Sequence, residues 1–138
     1  FIDSPSPLKH HLYKEVTMIK KFFLYSLAAF MIFAGVNHFI KTDFYLSMMP
    51  PYLPFHLELV YLSGVAEIIC GALLLVPKTR VLGAWCTILT LIAVFPANIY
   101  MAQNPALFPK IPETALYVRL PFQLIFIGWA FPFTKKHD

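Results

Sequence analysis

The chain has 138 residues, of which 59% are hydrophobic and 13% charged, with a net charge of +4. Soluble domains average about 25% charged residues, so the composition excludes an ordinary soluble domain, as does the mean hydropathy of +0.67. The Lys and Arg residues sit in short clusters beside apolar runs, the pattern of membrane topology; no basic stripe with interleaved aromatics suggests nucleic acid.

Residues 1–17, FIDSPSPLKHHLYKEVT, are polar, with two prolines and two adjacent histidines. They read as a disordered tail or an extraneous extension, outside a membrane domain over residues 18–138. Lys20-Lys21 and the apolar run after Met18 mimic a signal peptide. No small-residue cleavage pattern closes that run, and a retained first span is the expectation.

Four apolar segments follow, about Phe22 to Ile40, Leu57 to Val76, Val81 to Met101 and Leu116 to Phe133. Each has about the length needed to cross ~30 Å of hydrocarbon as a helix. Backbone groups in lipid must be satisfied within the segment, and none of the runs alternates as a barrel strand does. The expected fold is all-α, a bundle of four transmembrane helices. The loop KTDFYLSMMPPYLPFH, from Lys41 to His56, holds three prolines and four aromatic rings. It is expected in the membrane interface, with one short helix from Asp43 to Met49 that Pro50-Pro51 stops. Pro77-Lys78-Thr79-Arg80 makes a tight basic turn, so spans two and three should be antiparallel neighbours. One side carries Lys20, Lys21, Lys78, Arg80, Lys135 and Lys136; the other carries Lys41, Lys110 and Arg119. Six against three places both termini in the cytoplasm.

Ionisable residues inside spans cost about 2.5–3.5 kcal/mol at a helix centre on insertion scales. His38 with Asn37, Glu58, Asn98 with Tyr100, and Arg119 with Gln123 all fall near the outer ends of their spans. Glu67 lies near the middle of span two, about two and a half turns below Glu58. Every span thus feeds one polar layer, which suggests an outward-opening pocket lined by His38, Glu58, Glu67, Asn98, Arg119 and Gln123. Polar residues at span ends also serve simply to reach the headgroups, a reading open for Glu58, His56 and Tyr100. His38 reads first as a hydrogen-bonded helix-end residue, and second as an acid–base group or ligand. Mid-span Glu67 must face the interior, paired or neutral. Arg119 calls for a carboxylate partner, Glu67 being favoured over Glu58.

Pro96 should free the carbonyl of Ile92 and kink span three. Ser63, Gly64, Ala66 and Gly71 permit close helix approach. Cys70 and Cys86 form no CxxC pair and read as small packing residues at similar depth. No metal-ligand or haem-ligand cluster stands out.

Several blocks then resemble one family: MMPPYLP, LSGVAEI with Glu67, FPANIY with Asn98, and RLPFQ with Arg119 and Gln123. Over about residues 22 to 133 the chain resembles the DoxX and DoxX-like small four-helix membrane proteins. The resemblance implies a multi-pass protein of the bacterial inner membrane, an accessory subunit of a quinone-linked oxidoreductase system. A non-covalently bound quinone is then the implied cofactor, with other membrane subunits as partners. It also admits a non-enzymatic assembly protein whose polar layer only holds the bundle together. The arrangement is similar to that of vitamin K epoxide reductase too, but without the CxxC, which argues against thiol–disulfide catalysis. Neither implication makes the chain a stand-alone enzyme.

Overall fold

In the computed structural model, which describes residues 6–135, five α-helices and three short 3-10 turns follow one another. The α-helices are α1 (Pro7–Ile40), α2 (Thr42–Met48), α3 (His56–Leu75), α4 (Arg80–Gln103) and α5 (Glu113–Ala130). Helices α1, α3, α4 and α5 are each long and apolar enough to cross a membrane. The protein is an all-α bundle of four such helices. Large apolar side chains lie exposed along every one of them, among them Phe33, Leu62, Leu89 and Leu124. That is the outer surface of a bundle whose solvent is lipid.

The short helix expected from Asp43 to Met49 is α2, displaced by one residue, and it stops where Pro50-Pro51 begins. Lys41 N–H bonds the carbonyl of Asn37 as α1 ends, at 2.8 Å. The chain re-enters the bundle through Phe55, which caps α3 in the left-handed region at φ 54.

The expectation of a disordered segment over residues 1–17 is corrected for residues 7–17, which are the first turns of α1. Residues 1–5 and Lys136 lie outside the described residues. The physical reason is local. Ser6 is the N-cap, its hydroxyl accepting Lys9 N–H at 3.1 Å, and Pro7 occupies the first helical position, where its missing N–H costs nothing. His11 and Glu15, one turn apart, lie 3.0 Å from each other.

Close packing follows the small residues. A Cβ on Gly35 of α1 would sit 2.5 Å from the carbonyl oxygen of Gly64 on α3. A Cβ on Gly71 would sit 2.7 Å from the carbonyl oxygen of Ala28. Gly64 and Gly71 are seven residues apart, as are Ala28 and Gly35, so one stripe on each helix lets the backbones touch. Ser63 and Ala66, read with them as packing residues, instead border a cavity. Gly83 brings α4 equally close to Leu73 and Leu74 of α3. Helices α3 and α4 therefore run antiparallel and adjacent, as the tight turn demands. Helix α4 packs on α5, while α5 meets α1 through Phe23, Phe30, Phe126 and Trp129. A buried apolar cluster, including Leu24, Leu27, Met31, Leu74, Ile88 and Phe133, fills the half of the bundle nearest the termini.

Candidate functional site

The other half of the bundle holds a smaller buried cluster, Met48, Met101, Phe108 and Leu116, and is only partly filled. A cavity of about 690 Å³ lies there, bordered by all five helices. His38 and Asn37 come from α1, Tyr45 from α2, Glu67 from α3, Asn98 from α4, and Arg119 and Gln123 from α5. Apart from Ser63 and Thr90, apolar side chains make up the rest of the wall, including Met48, Leu91 and Phe126. Five of the six residues that the sequence assigns to a shared polar layer thus meet at one cavity. The sixth does not: Glu58 is exposed and borders no part of it. It sits in the first turn of α3, where a carboxylate complements the helix dipole. His56 and Tyr100 also stay outside the cavity. The His56 ring bonds the carbonyl of Pro50 at 3.1 Å and pins the loop.

The polar residues form two sets. On the α4–α5 side, Asn98 donates its amide to Gln123, and Gln123 donates its own to the carbonyl of Leu91. Arg119 Nε donates to Asn98 Oδ1 at 3.2 Å. The carbonyl used is that of Leu91, one residue before the Ile92 carbonyl that Pro96 deprives of its helical donor. The Ile92 side chain is 53% exposed, so that turn faces lipid, whereas buried Leu91 turns inward. A carboxylate partner for Arg119 is the expectation that fails. No carboxylate lies within salt-bridge distance of it among the described residues. Glu58 is outside the cavity, and Glu67 lies beside His38 of α1 instead.

On the α1–α3 side, His38 Nδ1 lies 2.7 Å from the carbonyl oxygen of Ala34. A carbonyl only accepts, so Nδ1 carries the proton and donates it there. Glu67 Oε2 lies 3.6 Å from the same nitrogen. That proton is already committed, and Oε2 is left buried without a hydrogen-bond partner. The Glu67 side chain is only 7% exposed. The His38 ring stacks on Tyr45, with centroids 3.9 Å apart, and the Tyr45 hydroxyl accepts from Asn37 at 2.8 Å. Gly64, whose absent side chain leaves room for the Cβ of His38, makes this approach of α1 to Glu67 possible.

Tyr45 escaped the sequence reading because it lies in the proline-rich loop rather than in a span. The signal was present: Phe44, Tyr45 and Met48 fall on one face of a helix from Thr42. Between α1 and α5 the cavity is bordered by Phe33 and Phe122, which are 72% and 51% exposed. The cavity therefore reaches the lipid-facing surface at that seam. Chemically, the site offers guanidinium nitrogens of Arg119 beyond the committed Nε, an acceptor at Glu67 Oε2 and the second ring nitrogen of His38, all above an apolar wall. Among the described residues no group of three or more His, Cys, Asp or Glu could hold a metal. Cys70 and Cys86 are both free, and the Cys70 thiol lies 3.6 Å from the Thr90 hydroxyl.

No curated protein and no solved structure matches the chain. Residues 27–134, which span α2 to α5, most of the membrane part of α1 and every residue of the cavity, match a domain of unknown function. The chain belongs to that family, DUF8561.

Proposed function

We propose that this protein is a DoxX-like accessory subunit of a quinone-linked oxidoreductase system, holding a small amphipathic ligand in the five-helix cavity. One observation carries the reading: a buried carboxylate oxygen with no partner, Glu67 Oε2, borders a cavity of about 690 Å³ that also holds Arg119. An unsatisfied buried acceptor costs about 1–3 kcal/mol. A ligand hydroxyl offsets that cost, and a ligand carbonyl or anionic oxygen suits Arg119. A ring carrying oxygen at opposite ends, as quinones and quinols do, supplies both kinds of group. The seam between Phe33 and Phe122 lets such a molecule enter from the bilayer. The Lys and Arg distribution supports termini in the cytoplasm, and the resemblance to DoxX-like proteins implies a bacterial inner membrane. Electron transfer belongs to a partner subunit, since this chain's contribution is binding and orientation.

The alternative is an assembly protein whose polar layer only stabilises the bundle. The bonded set of Asn98, Gln123 and Arg119 favours it, because that half of the layer is satisfied internally. Native mass spectrometry of gently extracted protein separates the two. A quinone or other small amphiphile retained at about one per chain, and lost in Glu67→Leu, supports the ligand reading. An empty bundle retained with a stoichiometric protein partner rejects it in favour of the assembly role.

A further inference from the structure

A second cavity, of about 560 Å³, lies at the opposite end of the bundle, beside the termini. Its cations come from three separate parts of the chain: Lys20 and Lys21 from α1, Arg80 from the first residue of α4, and Lys135 from the C-terminal segment. Its floor is apolar, made by the buried side chains of Leu24 and Phe133. Among the described residues no carboxylate borders it. Among the described residues the carboxylates that approach a basic side chain are Glu15, beside His11, and Glu67, beside His38, so none of the four cations has a side-chain counter-ion. Arg80 is held in place, since its Nε donates to the carbonyl of Leu74 at 3.0 Å; its two Nη groups remain for a ligand. The wall beyond the floor is the part of α1 before Met18. Tyr13 and Thr17 stand on the same helical face as Lys20 and Leu24, so the α1 extension completes the cavity.

From this geometry we infer that the second cavity is a binding site for the phosphodiester headgroup of an anionic phospholipid. A phosphate takes the hydrogen bonds and charge of Arg80 and the lysines. The apolar floor, continuous with the bundle core, suits the glycerol and first acyl carbons of an amphiphile. The site lies where the spans end and the polar turns begin, the level of a headgroup, and basic pockets between helices at such a level hold anionic lipid. Four cations gathered around one cavity go beyond a topology signal, which needs only that basic residues lie on one side. Lys78 makes the contrast: it lies in the same turn as Arg80 and is exposed, yet it does not border the cavity.

The test uses the full chain in detergent, titrated separately with phosphatidylglycerol and phosphatidylcholine and read by native mass spectrometry. Wild type should retain about one phosphatidylglycerol and release phosphatidylcholine. Lys20→Gln and Arg80→Gln should each weaken retention about fivefold, and the pair about 25-fold. Lys78→Gln removes a charge of the same topological value and should change retention less than twofold. If either variant fails to fold, Lys21→Gln and Lys135→Gln carry the same comparison. Equal losses in Lys78→Gln and Lys20→Gln would mean diffuse surface attraction and overturn the site. Equal retention of phosphatidylcholine would overturn it as well. Displacement of phosphatidylglycerol by millimolar inorganic phosphate would assign the cavity to a soluble anion and overturn the lipid assignment.

Discussion

Glu67 Oε2 lies 3.6 Å from His38 Nδ1, but the proton on that nitrogen is committed to the carbonyl of Ala34 at 2.7 Å. The two side chains are neighbours without being bonded, each buried by the close crossing of α1 and α3 at Gly35 and Gly64. The cavity therefore has one polar face left open for something else.

This juxtaposition predicts coupling between the two residues. His38→Leu and Glu67→Leu should each change stability by about 1–3 kcal/mol. Their double mutant should depart from additivity by about 0.5–3 kcal/mol. Reversible unfolding in mixed micelles measures all four states. Strict additivity would mean that the 3.6 Å approach carries no energy.

A second cycle concerns Arg119. Its bond to Asn98 predicts that Arg119→Met and Asn98→Leu interact, with the double mutant losing less than the sum of the singles. Arg119→Met with Glu67→Leu should show a smaller interaction, because no ion pair links them. A larger recovery with Glu67 than with Asn98 would restore the carboxylate partner that the sequence suggested and the structure does not contain.

Glycine replacements separate contact from composition. Gly64→Ala places a Cβ 2.9 Å from the Gly35 carbonyl oxygen and 2.8 Å from the His38 Cβ, so α1 and α3 must separate. It should destabilise the bundle by about 1–3 kcal/mol and loosen the His38–Glu67 approach. Gly128→Ala meets nothing within 4 Å and should stabilise α5 by up to about 1 kcal/mol through helix propensity. Thermal unfolding of the two variants checks both signs, and equal effects would remove the close-crossing argument.

Topology and thiol chemistry can be tested in one background. The double mutant Cys70→Ala/Cys86→Ala should keep the fold and any bound ligand, since both thiols are free and the Cys70 thiol lies 3.6 Å from the Thr90 hydroxyl. Single cysteines placed at Lys78 and Lys110 should then label from opposite faces, position 78 from the cytoplasm. Labelling of position 78 from outside would reverse the proposed orientation.

How much of this was legible in the sequence depended on the range of the interaction. Four spans followed from hydropathy because lipid forces each backbone segment to satisfy itself. The stop of α2 at Pro50 followed from proline, and the antiparallel pairing of α3 and α4 from a turn too short for anything else. The helical start at Pro7 was also local, carried by the Ser6 cap, but polar composition hid it.

The depth of each polar residue was likewise fixed along the chain, because rise per residue is constant. What depth could not give was azimuth, the side of the helix on which a residue falls once α1 and α3 cross. That rotation is set by where backbones touch, at Gly35 against Gly64 and Ala28 against Gly71, and those contacts lie about thirty to forty residues apart in sequence. It left Glu58 outside the cavity, set Glu67 beside His38 rather than Arg119, and gave Arg119 to Asn98. The sequence alone determined that a polar layer crosses the bundle. Only tertiary packing decided which members pair, and so which buried oxygen is left facing the cavity.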